Sequence, residues 1–193
     1  DIIKVLMEKQ QIDFCIEDIL LLYKKLDADL VVEYINTRAA ELKIDDQILS
    51  GNEGFKEFLF NEADVSKFID NIEDNYTNIS EYKNDDNIIC LIQRKKCVYN
   101  SNDFVAFCKK ERILREYCLV FEKQISDDIT SGDVVLDHAS IATLYKVSKD
   151  LNQSYFDAVV NQVDGEALDD ILGFESLKEF WSSIKDLIKL KKE

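Results

Sequence analysis

The chain has 193 residues, with 24 Lys and Arg against 39 Asp and Glu, a net charge of −15 and a pI near 4.5. Its 46% apolar and 10% aromatic content is enough to fill a core, which excludes a disordered acidic tail. No apolar run approaches ~18 residues and the start lacks a basic-then-apolar pattern, so neither a membrane span nor a secretory signal is expected; the acidic balance also disfavours nucleic acid as a partner.

Zero Pro and only five Gly remove the usual punctuation of tight turns. A β-sandwich of this length needs many such turns, and a nucleotide-binding α/β fold needs a glycine-rich phosphate loop that is absent here. Helices are the remaining solution. Cys15, Cys90, Cys97, Cys108 and Cys118 are odd in number and sit in apolar runs, so they read as reduced core residues in a cytoplasmic protein. With no C-x-x-C and a single histidine, His138, no metal or cofactor is expected.

In chain order, Ile2, Ile3, Leu6 and Met7, then Phe14, Cys15, Ile19, Leu22 and Leu26, recur at helical spacing and predict two helices, the second capped by Asp13. Asp27 caps a third from Ala28 to about Ile44, with Leu30, Val31, Tyr34, Ile35, Ala39 and Leu42 inward. Residues 45–54 lose periodicity and hold two glycines, which predicts a loop. A short helix over 55–60 precedes a longer one carrying Val65, Phe68, Ile69, Ile72, Tyr76 and Ile79. The polar, Asn-rich stretch 75–87 is a candidate hinge. The run Ile88–Ile92 favours helix, the alternative being a small hairpin near residues 88–99 that pairs it with Cys97–Tyr99.

Asn102 or Asp103 begins a helix of about twenty residues with Phe104, Phe107, Cys108, Ile113 or Leu114, Cys118 and Phe121 on its apolar stripe. A second hinge is expected at 126–135. Asp137 caps the next helix, with Ile141, Leu144, Tyr145 and Val147, and three further helices follow to the C-terminus, the last carrying Trp181 as a core residue. The reading is an all-α chain of about nine or ten helices, an irregular bundle or stacked helical hairpins, forming a single domain over 1–193.

Charge is uneven. Residues 94–123 hold 8 basic and 4 acidic side chains, net +4 in an otherwise acidic chain, and contain three of the four arginines. Arginine's planar fork matches carboxylate in two-point contacts, so Arg94, Lys109, Arg112 and Arg115 are the candidate partner-binding residues. The competing reading is that this basic block docks on the protein's own acidic helices. The doublets Asp45-Asp46, Asp85-Asp86, Asp127-Asp128 and Asp169-Asp170 do not complete a calcium loop and read as solvated loops or helix N-termini. His138, near Ser140, lacks an orienting third group, and no catalytic signature appears. The leading expectation is therefore a non-enzymatic protein–protein interaction domain, an adaptor, scaffold or regulator, that binds another protein or peptide through a helical groove or its Arg/Lys-rich central helix. One alternative is an acidic inhibitor, such as an immunity protein or nucleic-acid mimic, blocking a basic site. Another is a helical domain that senses a ligand or peptide.

Overall fold

A computed structural model describes residues 2–9 and 12–151. Among these residues the chain is all-α, with nine α-helices, three single 3-10 turns and no strand. No described helix is long and apolar enough to cross a membrane. The helices expected beyond residue 151, with Trp181, lie outside the described residues. Contacts divide the chain into two compact units, 1–98 and 99–193.

The first unit contains α1 (Ile2–Glu8), α2 (Ile16–Leu22), α3 (Ala28–Leu42), α4 (Asp46–Gly51), α5 (Glu53–Glu62) and α6 (Asp85–Gln93). Asp27 caps α3 by accepting from Asp29 N–H at 3.1 Å, and Leu30, Val31, Tyr34, Ile35, Ala39 and Leu42 are all buried. α1, α2 and α5 pack against α3. The loop expected over 45–54 is instead the whole of α4 and the start of α5. Asp45 accepts from Ile48 N–H and Asn52 from Phe55 N–H, so two side-chain caps restart the helix where periodicity fades.

The long helix expected over 63–79 is replaced by 3-10 turns at Val65–Lys67, Ile69–Asn71 and Ile79–Glu81. Its apolar positions Val65, Phe68, Ile69, Ile72 and Ile79 are buried all the same. Side-chain oxygens accept from backbone donors at the two ends of this stretch: Asn36 takes Asp64 N–H and Asp64 takes Ser66 N–H at its start, and Asn61 takes Lys83 N–H past its end. Asn87 binds the segment into the core. Its carbonyl oxygen accepts from Val65 N–H at 3.1 Å, while its amide donates to the carbonyls of Phe60 and Ala63 at 2.9 and 2.7 Å.

Ile88–Ile92 is helical, within an α6 capped by Asn84. The 88–99 hairpin does not form. At the end of α6 Lys95 takes the left-handed region (φ 56°) and Lys96 N–H returns to Leu91 O, a turn that directs the chain away from the helix. Cys97 then forms an isolated parallel bridge with Tyr76.

The second unit contains α7 (Ser101–Phe107), α8 (Glu111–Ser131) and α9 (His138–Leu151). The single helix expected from Asn102 is divided at 108–110, where Lys110 leaves helical geometry (φ −132°, ψ 80°). Residues 126–131, placed by the sequence reading in a hinge, continue α8 until Gly132 closes it at φ 80°. Asp137 caps α9 as expected, accepting from Ser140 N–H at 2.8 Å. Tyr99, Phe107, Tyr117 and Phe121 form an aromatic cluster with ring centroids 4.7–5.9 Å apart.

All five cysteines are thiols; Cys97, Cys108 and Cys118 are buried, Cys90 is half-buried, and Cys15 is exposed, contrary to the core role expected of it. Burial pushes Cys118 from 9.0 up to about 12, and raises Cys108 as well, aided by the neighbouring Cys118. A folded-state pKa raised in this way means that the unfolded chain releases the proton first. Stability is then complete below about pH 9 and falls as pH rises toward 12, by up to about 1.4 kcal/mol per pH unit for each of these two thiols. Urea unfolding at pH 8, 10 and 11 should show this decline, with a shallower slope in Cys118→Ala. Equal slopes in the two proteins would contradict the thiol assignment.

Candidate functional site

The arginines singled out from sequence do not form one surface within either unit. Arg94 caps α6 in the first unit, where its Nη1 lies 3.3 Å from Asp70 Oδ1. Lys109, Arg112 and Arg115 belong to the second unit, Lys109 in the link before α8 and the arginines in its first two turns, all exposed. Arg115 Nη1 is 3.1 Å from Asp150 Oδ2, and Lys146 Nζ is 2.7 Å from Glu111 Oε2. Two exposed ion pairs of opposite sense thus join α8 to α9, the internal use that competed with partner recognition in the sequence reading. Such solvated pairs add little stability and fix register more than they hold the helices together.

One helical groove lies in the first unit, lined by residues that the sequence did not single out as a site. It is an open hollow of about 670 Å³ between residues 13–17, the C-terminal half of α3 and the start of α4. Tyr34 builds one wall. Its ring is buried, and its hydroxyl accepts from Phe14 N–H at 2.7 Å and donates to Ile12 O at 3.2 Å, which pins the 12–14 backbone to α3. Phe14 meets the Tyr34 ring edge-on at 5.6 Å. Phe14, Ile16 and Ile48 line the groove half-exposed, and Leu42 is buried beneath them.

Around these apolar groups stand carboxylates. Asp13, Glu17 and Glu41 are exposed, and Asp45, although it caps α4, also faces the groove. Asp13 does not cap α2 as the sequence suggested. Cys15 takes the N-cap position and its N–H goes to Asp18 Oδ2 at 3.1 Å, leaving Asp13 to pair with Arg38. The Cys15 thiol donates to Asp18 Oδ2 at 3.1 Å, which leaves the Glu17 carboxylate facing the groove. Four carboxylates against Arg38 and Lys43 give the lining a net charge of −2. Lys43 ends α3 in the left-handed region (φ 48°).

A second hollow of about 400 Å³ beside α5 offers almost no apolar surface. It is lined by Glu53, Glu57, Tyr76, Tyr82 and Lys56, whose ammonium lies 2.6 Å from Glu53 and 5.6 Å from the Tyr76 ring centre. Burial and then the Asp46 carboxylate raise the Tyr76 phenol well above its ordinary value, so it stays a neutral hydrogen-bond donor. The described residues contain no cluster of His, Cys, Asp and Glu suited to a metal ion. His138 is the first residue of α9.

No protein family, curated protein or solved structure matches the chain.

Proposed function

We propose that the chain is a non-enzymatic protein-interaction domain whose α2–α3–α4 groove takes a basic, amphipathic segment of a partner protein. The observation that carries this reading is the pairing in one open groove of half-exposed Phe14, Ile16 and Ile48 with the exposed carboxylates of Asp13, Glu17 and Glu41. Exposed apolar side chains gain by covering, and a fringe of one charge selects the sign of what covers them. Residues 1–98 carry 12 basic and 21 acidic side chains, net −9, so the longer-range field also draws a cationic partner.

The test uses a short helix-forming peptide with leucine anchors at i, i+4 and i+7 and arginines between them, and a counterpart with glutamates in place of the arginines. Fluorescence anisotropy should show binding of the arginine peptide that weakens at about 0.3 M salt, and none of the glutamate peptide. Ile48→Lys, which adds a cation among the apolar contacts, should weaken binding about tenfold or more. Equal binding to wild type and Ile48→Lys would mean general attraction to an acidic protein and would remove the groove from the reading.

A further inference from the structure

Building on that groove reading, we infer that Arg38 is a built-in occupant of the site where the partner's cationic side chain binds, and that it thereby sets the groove's affinity and selectivity. Arg38 projects from α3 into the groove, with Nη1 2.9 Å from Asp13 Oδ1 and 3.3 Å from Glu41 Oε2. Asp13 belongs to the loop that Tyr34 pins, and Glu41 to α3, so a single guanidinium links the two sides of the groove.

The exposures distinguish this arrangement from an ordinary surface pair. The carboxylates face solvent, with 84% of the Asp13 and 65% of the Glu41 side chain exposed, whereas Arg38 is only 22% exposed. The acceptors are thus open to an incoming cation while the resident one lies inside the groove. Burial disfavours the Arg38 charge, yet Glu41 and Asp13 outweigh it and hold its pKa above the ordinary value. The resident guanidinium stays charged and keeps competing.

Exchange of one guanidinium for another at Asp13 leaves the number of ion pairs unchanged, so a partner gains through its apolar anchors on Phe14, Ile16 and Ile48. A segment with a cation but no apolar anchor gains nothing over Arg38. An apolar segment with no cation leaves Arg38 in place and must fit around it. The resident arginine therefore demands both features, a means of rejecting partners that carry only one.

Arg38→Gln removes the competitor, keeps a polar side chain of similar reach and shifts the lining from −2 to −3. With the arginine peptide as probe, affinity should rise about fivefold to tenfold over wild type, and a leucine-free polyarginine peptide, excluded from wild type, should now bind. In an Asp13→Asn, Glu41→Gln background, removing Arg38 should no longer tighten binding, because the acceptors it competes for are gone. Thermal unfolding of each variant confirms an intact fold. Unchanged or weaker binding by Arg38→Gln, with wild type still preferring arginine over glutamate peptide, would overturn the role given to Arg38 while leaving the groove reading in place. Failure of both proteins to prefer the arginine peptide would overturn the groove reading, and the Arg38 inference with it.

Discussion

Replacing Asn87 by Ala is expected to lower the unfolding free energy by about 3 kcal/mol, the largest effect of any single polar substitution proposed for the first unit. Asn87 is 4% exposed, and the three hydrogen bonds of its side-chain amide all go to backbone groups, Val65 N–H and the carbonyls of Phe60 and Ala63. Alanine leaves one donor and two acceptors without this partner in a region closed by Phe60, Val65 and Ile88, each fully buried. An apolar isostere does not help, since the groups left behind belong to the main chain. Asn87→Asp makes a sharper test. It presents a carboxylate to two carbonyl oxygens, so the introduced group takes a raised pKa in the folded state. Its contribution is then complete below the unfolded value of about 3.9 and is lost as pH rises through the folded one, so the deficit relative to wild type should shrink under acid conditions. Urea unfolding of the three proteins at pH 4 and pH 7 decides. A cost below about 1 kcal/mol for Asn87→Ala, or a pH-independent deficit for Asn87→Asp, would show that the amide does not hold α5 and α6 together.

The elements that sequence made legible combine a side-chain cap with an uninterrupted apolar stripe. α3 is the clearest: Asp27 caps it, and its six predicted inward residues are the six found buried. The segment 63–82 shows the limit of that logic. Val65, Phe68, Ile69, Ile72 and Ile79 are buried as a helical stripe would require, but burial fixes only which side chains point inward. The backbone is held instead by Asn36 and Asn87, which lie outside the 64–81 stretch and bond Asp64 N–H and Val65 N–H from 28 and 22 residues away, with Asn61 holding Lys83 N–H just past its end. A window reading of apolar spacing contains no term for such long-range amides. The break at 108–110 was hidden for a related reason: Cys108-Lys109-Lys110 carries neither Gly nor Pro, and the apolar period continues across it.

The groove was out of reach because its defining bonds join Tyr34 to Ile12 and Phe14, about twenty residues earlier. One signal was present. A tyrosine on the inward stripe of a helix carries a hydroxyl that must find a partner, so Tyr34 implied a polar neighbour at the edge of the α3 core. Charge counting drew the eye to residues 94–123, yet Arg115 and Arg94 engage Asp150 and Asp70 within their own units. Arg38, the one arginine outside that block, lies in a groove. Net charge along the sequence records how many cations a segment holds, while the use of each depends on which carboxylates the fold brings to it.

In the second unit the corresponding weak point is Tyr117, and Tyr117→Ala is expected to cost about 4 kcal/mol. The side chain is fully buried at the centre of the aromatic cluster, with Phe121 at 4.7 Å, Phe107 at 5.2 Å and Tyr99 at 5.9 Å between ring centres. Phe121 departs from helical geometry within α8 (φ −117°, ψ 27°), so the ring beneath it packs where the helix bends. The hydroxyl has a separate task. It accepts from Asn100 N–H at 2.8 Å and donates to Asn100 O at 3.2 Å, while Asn100 caps α7 through Asn102 N–H. Tyr117→Phe keeps the ring and drops this anchor, for an expected cost of about 1–2 kcal/mol. The difference between the two variants separates packing from the tie to α7, and near-ultraviolet circular dichroism should show the cluster preserved in Tyr117→Phe and lost in Tyr117→Ala. Equal costs would place the whole contribution in the hydroxyl, which the buried ring contacts argue against; an alanine cost below about 2 kcal/mol would mean that the cluster closes over the cavity and that α7 and α8 are held elsewhere.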